Sequence, residues 1–198
     1  RSFWINPAKY PDFAWAFTAR SLYILGYFVV FAYQFYILTD FLHLSMDEAN
    51  VAIGVLGLVA LAPVIAAGYF AGWVSDRFGK RKLVLYAACV VMALGYAAQI
   101  VWPTMAGQYA MVILTNIGFG FYITSDYVVM TQVLPNEQGA AAKDLGILNL
   151  ATFIPQAVAA LLAAFVISSL GGYVGLFIAG IVISILGGLA VRPIRAVQ

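Results

Sequence analysis

Asp126 and Arg20 are the residues best placed for chemistry, because each interrupts a long apolar run where a charge needs a physical reason to be. A charge at membrane depth costs roughly 2.5 to 3.5 kcal/mol even on lenient scales, so an intramembrane carboxylate signals an ion pair, a proton carrier or a substrate contact. Asp126 lies about a turn and a half from the charged end of its apolar run, roughly 7 Å at 1.5 Å per residue. That depth lets it meet Lys80 or Arg20 as an ion-pair partner. Two readings follow: a structural latch between helices, or a site of proton or substrate coupling.

Neutral polar and aromatic side chains form a second set. Arg20, Tyr23, Tyr27 and Gln34 fall within one narrow sector of a helical wheel. Asn116 and Tyr127 share a face with Phe119, Gly120 and Ile123, with Asp126 on its flank, while Asn149 and Gln156 share one with Thr152, Phe153, Ala160 and Ala163. Lipid rewards none of these groups, so they pack on neighbouring helices or line an aqueous path. Such groups hydrogen-bond and stack on a solute; they do not break bonds. Tyr23, Tyr27, Gln34, Asn116, Tyr127, Asn149 and Gln156 are the candidate cavity residues. No G-x-S-x-G, H-E-x-x-H or pair of mid-membrane carboxylates occurs, and the single histidine, His43, and single cysteine, Cys89, leave no catalytic set, metal site or disulfide within the chain. No catalytic residue, metal or cofactor is expected.

The elements that must position these residues are helices in a bilayer. The 198 residues are 64% hydrophobic and 9% charged, against about 25% charged in soluble domains, so the fold class is an all-α integral membrane protein. Six apolar segments, at about 14–39, 50–73, 83–102, 109–131, 145–168 and 173–191, each approach the roughly 20 residues that span a bilayer. The whole of 1–198 reads as one six-helix transmembrane domain, with 1–13 a polar lead-in and 192–198 a tail. All ten cations fall on one side of this arrangement, whereas Asp40, His43, Asp47 and Glu48 and two uncharged loops fall on the other. Basic loops stay cytoplasmic, which places both termini in the cytoplasm. The short membrane-adjacent basic cluster offers nothing to nucleic acid.

That cluster, Gly72-Trp-Val-Ser-Asp76-Arg77-Phe-Gly79-Lys80-Arg-Lys82, resembles the G-x-x-x-D-R-x-G-R-[KR]-x signature of the major facilitator superfamily, with Lys80 in place of the usual Arg. The resemblance implies a loop joining the second and third helices of a six-helix half, in which Gly72 permits close helix approach and Gly79 makes the turn. It further implies that Asp76, Arg77 and Lys80 latch the loop to its neighbours, with Lys80 meeting an acid at the inner end of the fourth helix, here Asp126. The Pro135-Asn-Glu-Gln138-Gly139 turn resembles the pseudo-repeat of the signature, with Gln138 where Arg is common. The implied architecture is two inverted three-helix repeats, half of a major facilitator fold. Phe3-Trp4-x-Asn6-Pro7 through Arg20, and the run Leu145 to Asn149 with Pro155-Gln156, resemble the approach to the seventh helix and the eleventh helix of full-length members.

The resemblance therefore implies secondary transport of a small solute by alternating access, either as a C-terminal half or as a half-size member pairing with a second copy. The solute is a sugar, another metabolite or a drug-like compound. Partners are then a small-molecule substrate, membrane lipid and the other six-helix half, in a multi-pass location of the bacterial inner or plasma membrane kind. A non-transporting membrane scaffold or receptor is the alternative from another class.

Overall fold

The computed structural model describes residues 9–133 and 141–194. The resembling stretches Phe3 to Pro7 and Pro135 to Gly139, and Arg1, Arg195 and the rest of the last four residues, lie outside the described residues. Among the described residues, six helices are long and apolar enough to cross a membrane: α1 (Pro11–Phe31), α2 (Met46–Phe78), α3 (Arg81–Val101), α4 (Met105–Val133), α5 (Ala141–Ser169) and α6 (Gly172–Val191). No strand occurs among the described residues.

Local chemistry sets boundaries that apolar runs alone misplace. α1 starts on Pro11, which gives up no hydrogen bond in a first turn, and carries Asp12 there. At its far end it breaks near Tyr33 and resumes as two short turns, Gln34–Tyr36 and Ile37–Phe41, the latter of wider π type. α2 begins at Met46, four residues before its apolar run, because Ser45 and Glu48 form a capping box: Ser45 Oγ accepts from the Glu48 amide at 3.3 Å and Glu48 Oε2 accepts from the Ser45 amide at 2.9 Å. It continues past Trp73 through Ser75, Asp76 and Arg77 until Gly79, whose φ of 63° ends it in the left-handed region. At 33 residues α2 is about 50 Å long, against roughly 30 Å of hydrocarbon, so its charged ends reach water.

The packing has internal symmetry. α1 packs on α5 and α6, α4 on α2 and α3, α3 on α6, and α1 touches α4. Exchanging α1 with α4, α2 with α5 and α3 with α6 maps this set of pairs onto itself. Because short turns reverse the chain between consecutive helices, α4 runs opposite to α1, and the two triplets are inverted repeats. Two shallow apolar grooves obey the same exchange: one between α2 and α4 is lined by Pro63, the other between α1 and α5 by Pro155. Each proline stands inside its helix, where it gives up one backbone hydrogen bond and its ring crowds the preceding turn.

Small residues bring the backbones together where the helices cross. A Cβ on Gly120 of α4 would strike the Val64 carbonyl, and would lie 2.9 Å from Ala67 Cβ and 3.0 Å from the Gly68 amide of α2. On the other face of α4, a Cβ on Gly118 would lie 2.8 Å from the Ala88 carbonyl of α3. α3 and α6 each keep one lipid-facing side, with Val90 and Leu94 on α3 and Ile178, Val182 and Leu189 on α6 all exposed.

Candidate functional site

Two polar constellations form along α1 and α4. The first lies toward the end that carries the basic loop. Arg20 Nη1 donates to Asp126 Oδ2 at 2.6 Å, and both side chains are only 8% exposed. Tyr122, one helical turn before Asp126, donates its hydroxyl to the other carboxylate oxygen at 2.8 Å. Arg20 Nε donates to Thr152 Oγ1 of α5 at 3.1 Å, and the guanidinium lies 5.4 Å from the centre of the Tyr127 ring. Removing these charges from water is expensive, but here the carboxylate has a cation and a hydroxyl, and the guanidinium has a carboxylate, a hydroxyl and a ring face. The network ties α1, α4 and α5 together.

Of the two cations that the sequence offered Asp126, the structure uses Arg20. Lys80 is exposed at the N-cap of α3 and, among the described residues, has no ion-pair partner. Asp76 and Arg77 are also exposed; the Arg77 guanidinium lies 5.7 Å from the Trp73 ring centre, one turn back on α2. A Cβ on Gly72 would meet Thr124 of α4 at 3.7 Å, an ordinary contact, so the tightest α2–α4 approach belongs to Gly120 rather than to Gly72.

The second constellation lines a cavity of about 160 Å³ toward the opposite end, between α1, α2, α3 and α4. Tyr27, Phe31 and Gln34 reach it from α1 and the turn beyond, and Asn116 and Thr115 from α4. Asn116 is oriented by its own helix, its Nδ2 donating to the Val112 carbonyl at 2.9 Å, while its Oδ1 faces the Tyr27 hydroxyl at 3.4 Å. That separation is long for an O–H···O bond, which leaves both groups free to bond elsewhere. The Tyr27 ring stacks on Phe119 at 4.7 Å and on Phe31 at 5.7 Å. Tyr96 of α3 closes the floor, its hydroxyl donating to the Gly26 carbonyl at 2.8 Å.

Of the seven cavity candidates read from the sequence, the structure brings Tyr27, Gln34 and Asn116 into this cavity and leaves four elsewhere. Tyr23 is 1% exposed and stacks face to face on Tyr122 at 3.7 Å, inside the helix crossing. Tyr127 is exposed below Arg20, Asn149 is exposed on α5, and Gln156 is half-buried on α5. Pattern reading missed α2 altogether, whose Ile53, Leu56, Gly57 and Ala60 form one wall. The available signal was small residues, Gly57 and Ala60, rather than polar ones.

Among curated proteins none matches this chain. Residues 14–197 match the sequence pattern described as Major Facilitator Superfamily. The fold is similar to that of the peptide transporter POT solved in complex with sulfate, with a TM-score of 0.77 at 16% identity, over 93% of this chain and 37% of that one. It is also similar to a mutant of that transporter in complex with alafosfalin, with a TM-score of 0.74 at 17% identity, over 92% and 38% of the two chains. The chain thus spans little more than a third of the length of the structures it resembles.

Proposed function

Because the chain belongs to the major facilitator superfamily, a family of membrane transporters, we propose that it is one six-helix half of a secondary transporter that moves a small solute by alternating access. The observation that carries this reading is the cavity beside Tyr27, Gln34 and Asn116, whose polar lining comes mainly from α1 with the turn beyond it and from α4, one of the pairs that exchange under the internal symmetry. A path between two such halves needs α1 and α4 to face it. Both carry intramembrane polar groups, which avoid lipid.

The other half is supplied by a further six helices, from the same reading frame or a second copy. Exposed apolar side chains on α2 and α5, including Leu58, Ile65, Phe153 and Leu161, offer it a surface. The basic end, with Arg77, Lys80, Arg81 and Lys82, is cytoplasmic, as are both termini. In this reading the Arg20–Asp126 network is a conformational tie, and Gly72, Asp76 and Arg77 on the last turns of α2, with Gly79 and Lys80 in the turn that follows, form the latch segment beside it.

Uptake of candidate tracers into proteoliposomes holding the complete protein tests the reading, with empty liposomes as the baseline. Saturable flux that falls in Asn116→Ala and Gln34→Ala supports it. Specific solute binding without any flux favours a receptor, and loss of a membrane partner on deletion, again without flux, a scaffold.

A further inference from the structure

We propose that the cavity takes an uncharged aromatic or branched aliphatic group bearing a hydrogen-bonding function, so that any charge on the substrate is held away from this half. The inference rests on the transport reading and names the substrate class for the same cavity.

Size sets the first limit. About 160 Å³ is close to the volume of an engineered apolar cavity that accepts benzene, so one six-membered ring or a branched side chain fills it. Charge sets the second. No Asp, Glu, Lys, Arg or His lines the cavity among the described residues. The intramembrane Arg20 and Asp126 are outside its lining and already engage each other at 2.6 Å. An ion entering here would lose water and find no counter-charge, which is a severe penalty in a site bounded by Ile53, Leu56 and Phe31.

Hydrogen-bonding capacity sets the third. Thr115 spends its hydroxyl on the Met111 carbonyl at 2.8 Å and Tyr96 on Gly26, whereas Tyr27 and Asn116 are only loosely engaged with each other. Gln34 makes no side-chain hydrogen bond among the described residues. A carboxamide offers both donors and an acceptor, and a phenol one of each, so a neutral hydroxyl or amide on the ligand is satisfied whichever way it points. The stacked Tyr27 and Phe31 rings supply a face for a planar group.

Gly57 makes the idea testable. Gly57 lines the cavity and a Cβ there has nothing within 4 Å, so a side chain at this position displaces nothing; Gly54, one turn away, is equally open but lies outside the lining. The complete protein is prepared in nanodiscs with Cys89→Ala and any other cysteine replaced, carrying Gly57→Cys or Gly54→Cys. Alkylation by N-ethylmaleimide is timed with benzyl alcohol, benzoate or protonated benzylamine present. At about ten times its Kd, benzyl alcohol should slow alkylation at position 57 about tenfold by mass action and leave position 54 unchanged. Benzoate and benzylamine should protect neither, and adding Asn116→Asp should confer protection by benzylamine.

Equal protection by the charged rings, or no protection by benzyl alcohol, overturns the inference. Labelling reads the cavity without requiring transport, so selective protection in a protein with no flux for any solute would remove the transport reading and keep the site. Flux together with protection by charged rings would do the opposite.

Discussion

The Arg20–Asp126 pair shows how much one residue's surroundings decide. A carboxylate at 8% exposure persists because a cation and a hydroxyl each bond one of its oxygens. Breaking a buried pair by removing one partner costs about 3 to 5 kcal/mol, since the other charge is left stranded. Asp126→Ala should therefore unfold in denaturant at a clearly lower midpoint, and Asp126→Asn should lower turnover with little change in substrate affinity. A double-mutant cycle distinguishes the two cations: Arg20 with Asp126 should couple by about 0.5 to 3 kcal/mol, whereas Lys80 with Asp126 should add within about 0.5 kcal/mol. Substantial Lys80 coupling and none for Arg20 would transfer the tie to the basic loop. At the opposite end, Tyr173 donates to Asp40 Oδ2 at 2.7 Å and Thr39 to Oδ1 at 2.8 Å, holding this carboxylate below its ordinary range, with His43 adding to the effect. A depressed folded value means that the contribution is complete above the ordinary pKa of about 3.9 and is lost as pH falls through the lower one. The contact joining the α1 extension to α6 should hold throughout the neutral range. Tyr173→Phe should raise the Asp40 pKa toward its ordinary value, as carbon-13 carboxyl chemical shifts report, and an unchanged titration would remove Tyr173 as the cause.

At the scale of the element, glycine position matters more than glycine number. Gly120 sits where α4 crosses α2, and any Cβ there meets backbone; Gly72 sits where a Cβ makes an ordinary contact. Gly120→Ala should destabilise the bundle, while Gly72→Ala should be neutral or stabilise it by up to roughly 1 kcal/mol through helix propensity. Thermal unfolding of the two variants in one detergent decides between them, and the reverse order would mean that α2 and α4 cross elsewhere. Ser45→Ala removes half of the capping box and should cost α2 about 1 kcal/mol. Much of this level was legible in the sequence. Six apolar runs became six helices, and Asp126 found a cation already named for it, because hydrophobic length and the cost of a lone charge are local properties. The cavity was less legible for two physical reasons. A helical wheel sorts residues by direction but not by where another helix crosses, so Tyr23 shared a sector with Tyr27 yet lies under Tyr122. A wall made of absent side chains, as at Gly57 and Ala60, gives no polar signal.

For the whole molecule, orientation and the transport cycle remain the consequential claims. If the basic end is cytoplasmic, a cysteine replacing Thr104 in a Cys89→Ala background should react with an impermeant maleimide from outside intact cells, and one replacing Phe78 should not; reversed labelling would invert the topology. Alternating access makes a stronger demand, because one cavity residue must become reachable from both sides in turn. The direct measurement places a cysteine at Asn116 of the complete protein and follows its alkylation by an impermeant maleimide in right-side-out and inside-out vesicles. Each is measured again after the opposite side has been closed and after it has been opened by cross-linking between the two halves. The account predicts reaction from both sides, with closure of either side raising reactivity from the other. Reaction from one side only, indifferent to the cross-links, would contradict it.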